Sequence, residues 1–226
     1  MEKLEPIFSI NIFGFQFGVT DSFLVMWIIT VIIAVAAIIL GRNLEKIPSK
    51  RQNIVELVVD GINGLVNDNM GPGYKAFIPY IGTLVIFILS MNVIGLIGIE
   101  PPTRDYNICL GLALISFVVV QWNAIRKVGF GHYVKGYFDP FAVMLPLNLI
   151  ERVVLPVSLS LRLMGNMTAA VVVVGIVYQG LAGLSWFAQL GLPIPVHFFF
   201  DVFDAGIQMF IFVMLTMINI KIIAEH

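Results

Sequence analysis

The chain has 226 residues, 59% of them hydrophobic and only 12% charged, with a mean hydropathy of +0.96; that is the balance of a membrane protein, not of a soluble globule. Its 13 basic and 14 acidic residues leave a formal charge of -1, which excludes the basic surplus expected of a nucleic-acid binder. A single cysteine, Cys109, excludes an internal disulfide or a paired-cysteine zinc site and reads as a small apolar core residue.

The amino-terminal stretch carries Glu2, Lys3, Glu5 and Asp21 without a basic leader or a small-residue cleavage pattern, so the first apolar run is expected to stay in the protein. That run, 22–40, is uncharged and at 1.5 Å per residue crosses a hydrocarbon core of roughly 30 Å. In 50–70, Ile54, Val58, Ile62 and Leu65 recur at helical spacing while Asn53, Glu56, Asp60, Asn63 and Asn67 take the other side. An amphipathic helix lying in the membrane interface is expected, or one docked on a partner. Two further spans follow at 76–99, stopped by Pro101 and Pro102, and at 106–125, polar only at Asn107, Gln121 and Asn123.

The last part of the chain reads differently. Segments 141–179 and 192–224 are apolar but longer than a bilayer requires, and a Gly/Pro link from Gly191 to Pro195 separates them. They are expected to form a long tilted antiparallel hairpin, with Pro146 and Pro156 as kink points. Lysine and arginine gather after the first span (Arg42, Lys46, Lys50, Arg51, Lys75) and after the third (Arg126, Lys127, Lys135), whereas Arg104 stands alone between the second and third. The positive-inside rule then puts the amino terminus outside and the carboxyl terminus in the cytoplasm. The expected fold is all-α and polytopic: a single membrane domain over 1–226 with about five membrane-embedded helices, three spans plus the hairpin, and one interfacial helix.

The chemistry lies in the hairpin. Arg162 is far from both ends of its apolar segment, where an arginine costs about 2.5–3.5 kcal/mol to insert. At 100° per residue Glu151, Ser158, Arg162 and Asn166 share one face. Snorkelling of Arg162 is disfavoured by the length of helix beyond it, and Glu151 is about three turns away. Guanidinium stays charged where a buried lysine would tend to lose its proton. In the last segment His197, Asp201, Asp204 and Gln208 recur at spacings that make a polar stripe about 16 Å long, continued by Asn219. Carboxylates at membrane depth with a histidine one turn away suit a proton or cation relay. No metal motif accompanies His197, Asp201 and Asp204. The sequon Asn166-Met-Thr168 lies inside the apolar helix, where no glycan fits.

The run Pro156-Val-Ser-Leu-Ser-Leu-Arg162-Leu-Met-Gly-Asn166-Met resembles the signature of subunit a of rotary (F-type) ATP synthases, and Gln208-Met-Phe-Ile-Phe-Val-Met-Leu-Thr216 resembles that family's last-helix signature. The resemblance covers the whole chain. It implies a non-catalytic, ion-translocating stator subunit in a bacterial cytoplasmic membrane. Its two offset half-channels would pass protons or Na+ to and from a ring of c subunits and couple the gradient to ATP synthesis. It also implies peripheral-stalk b subunits and the rest of the synthase as partners, and no cofactor. Arg162 matches the family's essential arginine; Asn166 and Gln208 match positions that hold that arginine or line the channel. Two positions depart from the family pattern. Val171 replaces a glutamate, and Asp201 stands in place of a histidine, so the acid has changed helices. Asp201, helped by Asp204 and His197, is the expected titrating group of the outer half-channel. A self-contained secondary transporter, the main alternative, would call for inverted repeats and more spans; an intramembrane hydrolase would call for a nucleophile and base.

Overall fold

The computed structural model describes residues 8–12, 15–42, 45, 49–131, 133, 145–182, 191 and 193–225. Five stretches of helix are long and apolar enough to cross a membrane: Asp21–Gly41, Pro72–Ile97, Tyr106–Val128, Leu145–Leu181 and Pro193–Ile223. The helical, polytopic class expected from the sequence holds. Ahead of the first helix lies an antiparallel hairpin of β1 (Phe8–Ile12) and β2 (Phe15–Val19), with Phe8 opposite Val19 and Ile12 opposite Phe15. The expected segments 141–144 and 192 fall outside the described residues.

Local chemistry sets the helix ends. α1 (Asp21–Gly41) carries Asp21 in its first turn, where a negative charge complements the helix dipole. α2 (Lys50–Met70) is capped by Ser49, whose hydroxyl accepts from the Gln52 N–H, and stops at Gly71, whose φ of 93° suits glycine and whose N–H reaches the Asn67 carbonyl. α3 (Ile78–Val93) starts with Pro79 in its first turn, where a missing N–H costs nothing, and tightens into a 3-10 turn at Ile94–Ile97. Asp105 caps α4 (Tyr106–Val128) by accepting from the Asn107 N–H at 2.9 Å. The same carboxylate accepts from the Thr20 hydroxyl at 3.3 Å, so one buried acid ties the start of α4 to the residue preceding α1.

α4 is the pivot of the bundle. It packs against α5 (Leu145–Ala182) on one side and α7 (Ala205–Glu225) on another, while α3 packs on α7 and α2. Small side chains permit the approach: Cys109, Ala113 and Ala124 of α4 are fully buried, and in lipid such close contact replaces the hydrophobic driving force available in water. Ile81, Ile88, Met91, Leu163, Phe212 and Met217 fill the interior. Polar ties cross it, from the Tyr80 hydroxyl to Ser116 at 2.9 Å and from the Asn123 amide to the Ile220 carbonyl at 3.2 Å. Cys109 is the core residue its sequence suggests, its thiol donating to the Thr103 carbonyl at 3.0 Å.

Two elements are only partly embraced. α1 buries just Ser22 and Ile29. α2 buries Ile62, Val66 and Met70, whereas Ile54, Leu57 and Val58 are exposed. The apolar stripe of α2 is therefore divided: its carboxyl-terminal half packs on the bundle and its amino-terminal half projects beyond it.

Candidate functional site

α5 presents two faces. Leu159, Leu163, Met167 and Ala170 are buried, the spacing of a stripe that packs inward on α4. Glu151, Ser158, Arg162, Gly165 and Ala169 are exposed. The polar face inferred from the sequence is thus turned away from the chain's own core. Among the described residues Arg162 has neither an ion-pair nor a hydrogen-bond partner. Small residues, Ser158, Gly165 and Ala169, surround it and leave its approach open. Arg152, on the neighbouring face, instead donates to the Gln121 side-chain Oε1 of α4 at 3.4 Å and lies over the Tyr133 ring.

Asn166, one turn above Arg162, turns partly inward, and its amide donates to the Gln208 Oε1 of α7 at 2.7 Å. Gln208 is 1% exposed. This bond locks the two long helices together next to the arginine, and it joins two residues singled out separately in the sequence.

Ahead of α7 run α6 (Pro193–His197) and a π-helical turn over Phe198–Asp204. Counting 100° per residue, as for an α-helix, does not hold through this turn, because its i to i+5 bonds widen each winding. Asp201 is carried inward, to 7% exposure. His197 Nδ1 lies 2.6 Å from Asp201 Oδ2, and the Tyr178 hydroxyl of α5 lies 3.2 Å from His197 Nε2. Tyr178 is at the surface. The result is a continuous line of titratable groups, hydroxyl to imidazole to carboxylate, from the outside of the hairpin to its interior. Asp204 is half-buried and has no hydrogen-bond partner among the described residues. Asn219 is spent on its own helix, donating to the Leu215 carbonyl at 2.7 Å.

By helical rise, Asp201 sits about 10 Å along the axis from Gln208, and Arg162 about 6 Å from Asn166 on α5. Glu151 lies about 16 Å from Arg162 toward the opposite end. The site residues therefore fall into three groups along the hairpin: Tyr178, His197, Asp201 and Asp204 at one end; Asn166, Gln208 and Arg162 in the middle; Ser158 and Glu151 toward the other. The structure joins His197 to Asp201 and Asn166 to Gln208, and it joins none of the four to Arg162. Tyr178 was not apparent from the sequence; its only signal was an aromatic hydroxyl near the end of an apolar helix. Among the described residues no three of His, Cys, Asp and Glu converge as metal ligands.

Five apolar membrane-length helices define a multi-pass membrane protein, whose last two carry a cation without a partner among the described residues and a Tyr-His-Asp line. The sequence matches the family described as ATP synthase A chain over residues 23–221. It is 31% identical over 223 residues to the sodium ion specific ATP synthase subunit a of Propionigenium modestum, covering 92% of this chain and 75% of that one. It is 35% identical to ATP synthase subunit a of Moorella thermoacetica over 84% of both chains, and 33% identical to that of Listeria monocytogenes serotype 4b over the full length of both. The chain belongs to the ATP synthase subunit a family.

Proposed function

We propose that this chain is the ion-translocating stator subunit of a bacterial ATP synthase, with Arg162 as the fixed charge that separates two half-channels. The observation that carries this is the exposed, unpartnered Arg162 in the middle of an apolar helix. A guanidinium in that position needs an anion, and none of the described residues of this chain supplies one. The partner is a carboxylate of a rotating c subunit, brought past the Ser158, Gly165 and Ala169 face. At about 5 Å and an effective dielectric near 20, the attraction is about 3 kcal/mol, enough to hold the arriving acid deprotonated by a factor of roughly one hundred.

The two half-channels lie to either side. Tyr178, His197, Asp201 and Asp204 form the outer one; Ser158 and Glu151 line the inner. Asn166 and Gln208 fix the helix that carries Arg162, so that the charge cannot follow the ring. A Tyr-His-Asp line consists of groups that hand on protons, which favours protons over Na+ as the coupling ion. The amino terminus is outside, the carboxyl terminus is cytoplasmic, and the chain itself performs no ATP chemistry. The c ring, the b subunits and the remaining synthase are its partners.

The test is Arg162→Ala in the assembled complex, reconstituted in vesicles with an imposed ion gradient. Coupled synthesis is expected to fall about one hundredfold, following the Coulomb figure above. Near-normal synthesis overturns the proposal. Running the same assay with and without Na+ identifies the ion: a rate unchanged by Na+ supports protons.

A further inference from the structure

The Asp201 carboxylate lies against the backbone of Gly95, in the 3-10 turn that ends α3. A Cβ built on Gly95 would stand 3.1 Å from Asp201 Oδ1, 3.2 Å from Cγ and 3.5 Å from Oδ2. Of the other glycines whose surroundings are described, only Gly82 would meet a neighbour, the flexible Ile62 side chain with its nearest methyl at 3.3 Å. The backbone at Gly95 is not left-handed, so an L side chain is allowed there by torsion and helix propensity would favour alanine. What crowds it is the carboxylate. The room for Asp201 to give is limited: its Oδ2 is held by His197 Nδ1 at 2.6 Å, and the residue is 7% exposed in the π turn.

We propose that Gly95 is a positioning residue of the outer half-channel, its missing side chain being the space in which the Asp201 carboxylate is held against His197. This rests on the reading of Asp201 given above. A methyl at Gly95 pushes the carboxylate by a few tenths of an ångström, away from the geometry that a short charge-assisted bond needs. A larger side chain displaces it outright. The helix pair α3 and π turn thus sets the line Tyr178, His197, Asp201 in register, although Gly95 has no group that titrates.

The experiment uses the assembled complex in vesicles, comparing Gly95→Ala, Gly95→Val, Gly82→Ala and Asp201→Asn for ATP-driven ion pumping across a range of pH, with complex content measured in parallel. Gly95→Ala is expected to slow pumping by roughly threefold to tenfold, the scale of overpacking a close contact, and Gly95→Val by more. Gly82→Ala, with its nearest contact at 3.3 Å and against a flexible methyl, is expected to pump normally. The pH of half-maximal pumping is expected to move in Gly95→Ala with complex content unchanged, because the carboxylate is shifted relative to His197 although the substitution itself alters no charge. The acids and bases facing Asp201 are His197 on α6, Asp204 in the π turn and Tyr178 on α5 through His197. The Ile94–Ile97 turn contains none, and Tyr80 of α3 and Lys221 of α7 are each more than about 20 Å along their helices. A loss of pumping that tracks complex content with an unmoved pH profile overturns the inference. So do normal Gly95→Ala and Gly95→Val enzymes beside a defective Asp201→Asn. If Asp201→Asn itself pumps normally, the reading of Asp201 as the outer carboxylate fails and takes the inference with it.

Discussion

The bond between Asn166 and Gln208 can be measured as a coupling energy. Replacing Gln208 by Leu keeps the volume of a side chain that is 1% exposed but removes the acceptor that the Asn166 amide meets at 2.7 Å. In water-excluded surroundings an orphaned amide costs about 1–3 kcal/mol. Within a membrane the unfolded reference state also finds partners, and measured couplings between helices average about 0.6 kcal/mol with a ceiling near 1.7. Gln208→Leu and Asn166→Leu are therefore each expected to destabilise the hairpin by about 1–2 kcal/mol, and the double variant to cost less than their sum by about 0.6–1.7 kcal/mol. The assay is equilibrium unfolding of the purified chain in mixed micelles, followed by the fluorescence of Trp27, Trp122 and Trp186. Strictly additive costs would refute the reasoning, because they would mean that the two amides do not depend on each other.

Three further outcomes follow from the geometry. Tyr178→Phe removes only the hydroxyl 3.2 Å from His197, and since Tyr178 is exposed, water takes its place; ion pumping should fall by no more than about threefold, read in the same vesicles, while His197→Ala should cost at least about tenfold. Thr103→Val removes the hydroxyl that donates to Asn92 Oδ1 at 2.8 Å, and the Asn92 Nδ2 is already without a partner among the described residues. That buried amide then loses its remaining bond, at a cost of about 1–3 kcal/mol in micellar unfolding. Cys109, fully buried with its thiol engaged, should resist a membrane-permeant maleimide in the intact complex and react at once after denaturation.

Hydropathy and length made the spans legible, because a bilayer forces each crossing to be long, apolar and helical. Arg162 was legible for the converse reason: a charge stands out where charge is costly. Its lack of a partner was not, since that depends on which face of α5 meets α4. The π turn at Phe198–Asp204 escaped notice because nothing local in that run signals it, and it is this turn that carries Asp201 inward. Gly95 meets Asp201 through packing and Tyr178 reaches it through His197, contacts between segments separated in sequence. The terminal hairpin did leave a signal, the alternation Phe15, Phe17, Val19 against Gln16 and Gly18, which sat beside a much stronger helical run.

The exposed guanidinium of Arg162 also bears on what has to cover the outside of α5. In a bilayer that face would turn a charge, without a partner among the described residues, toward lipid, where an arginine at a helix centre costs about 2.5–3.5 kcal/mol. On the function proposed above, a facing carboxylate removes that cost, so the exposed Arg162 face is the surface that a partner has to cover.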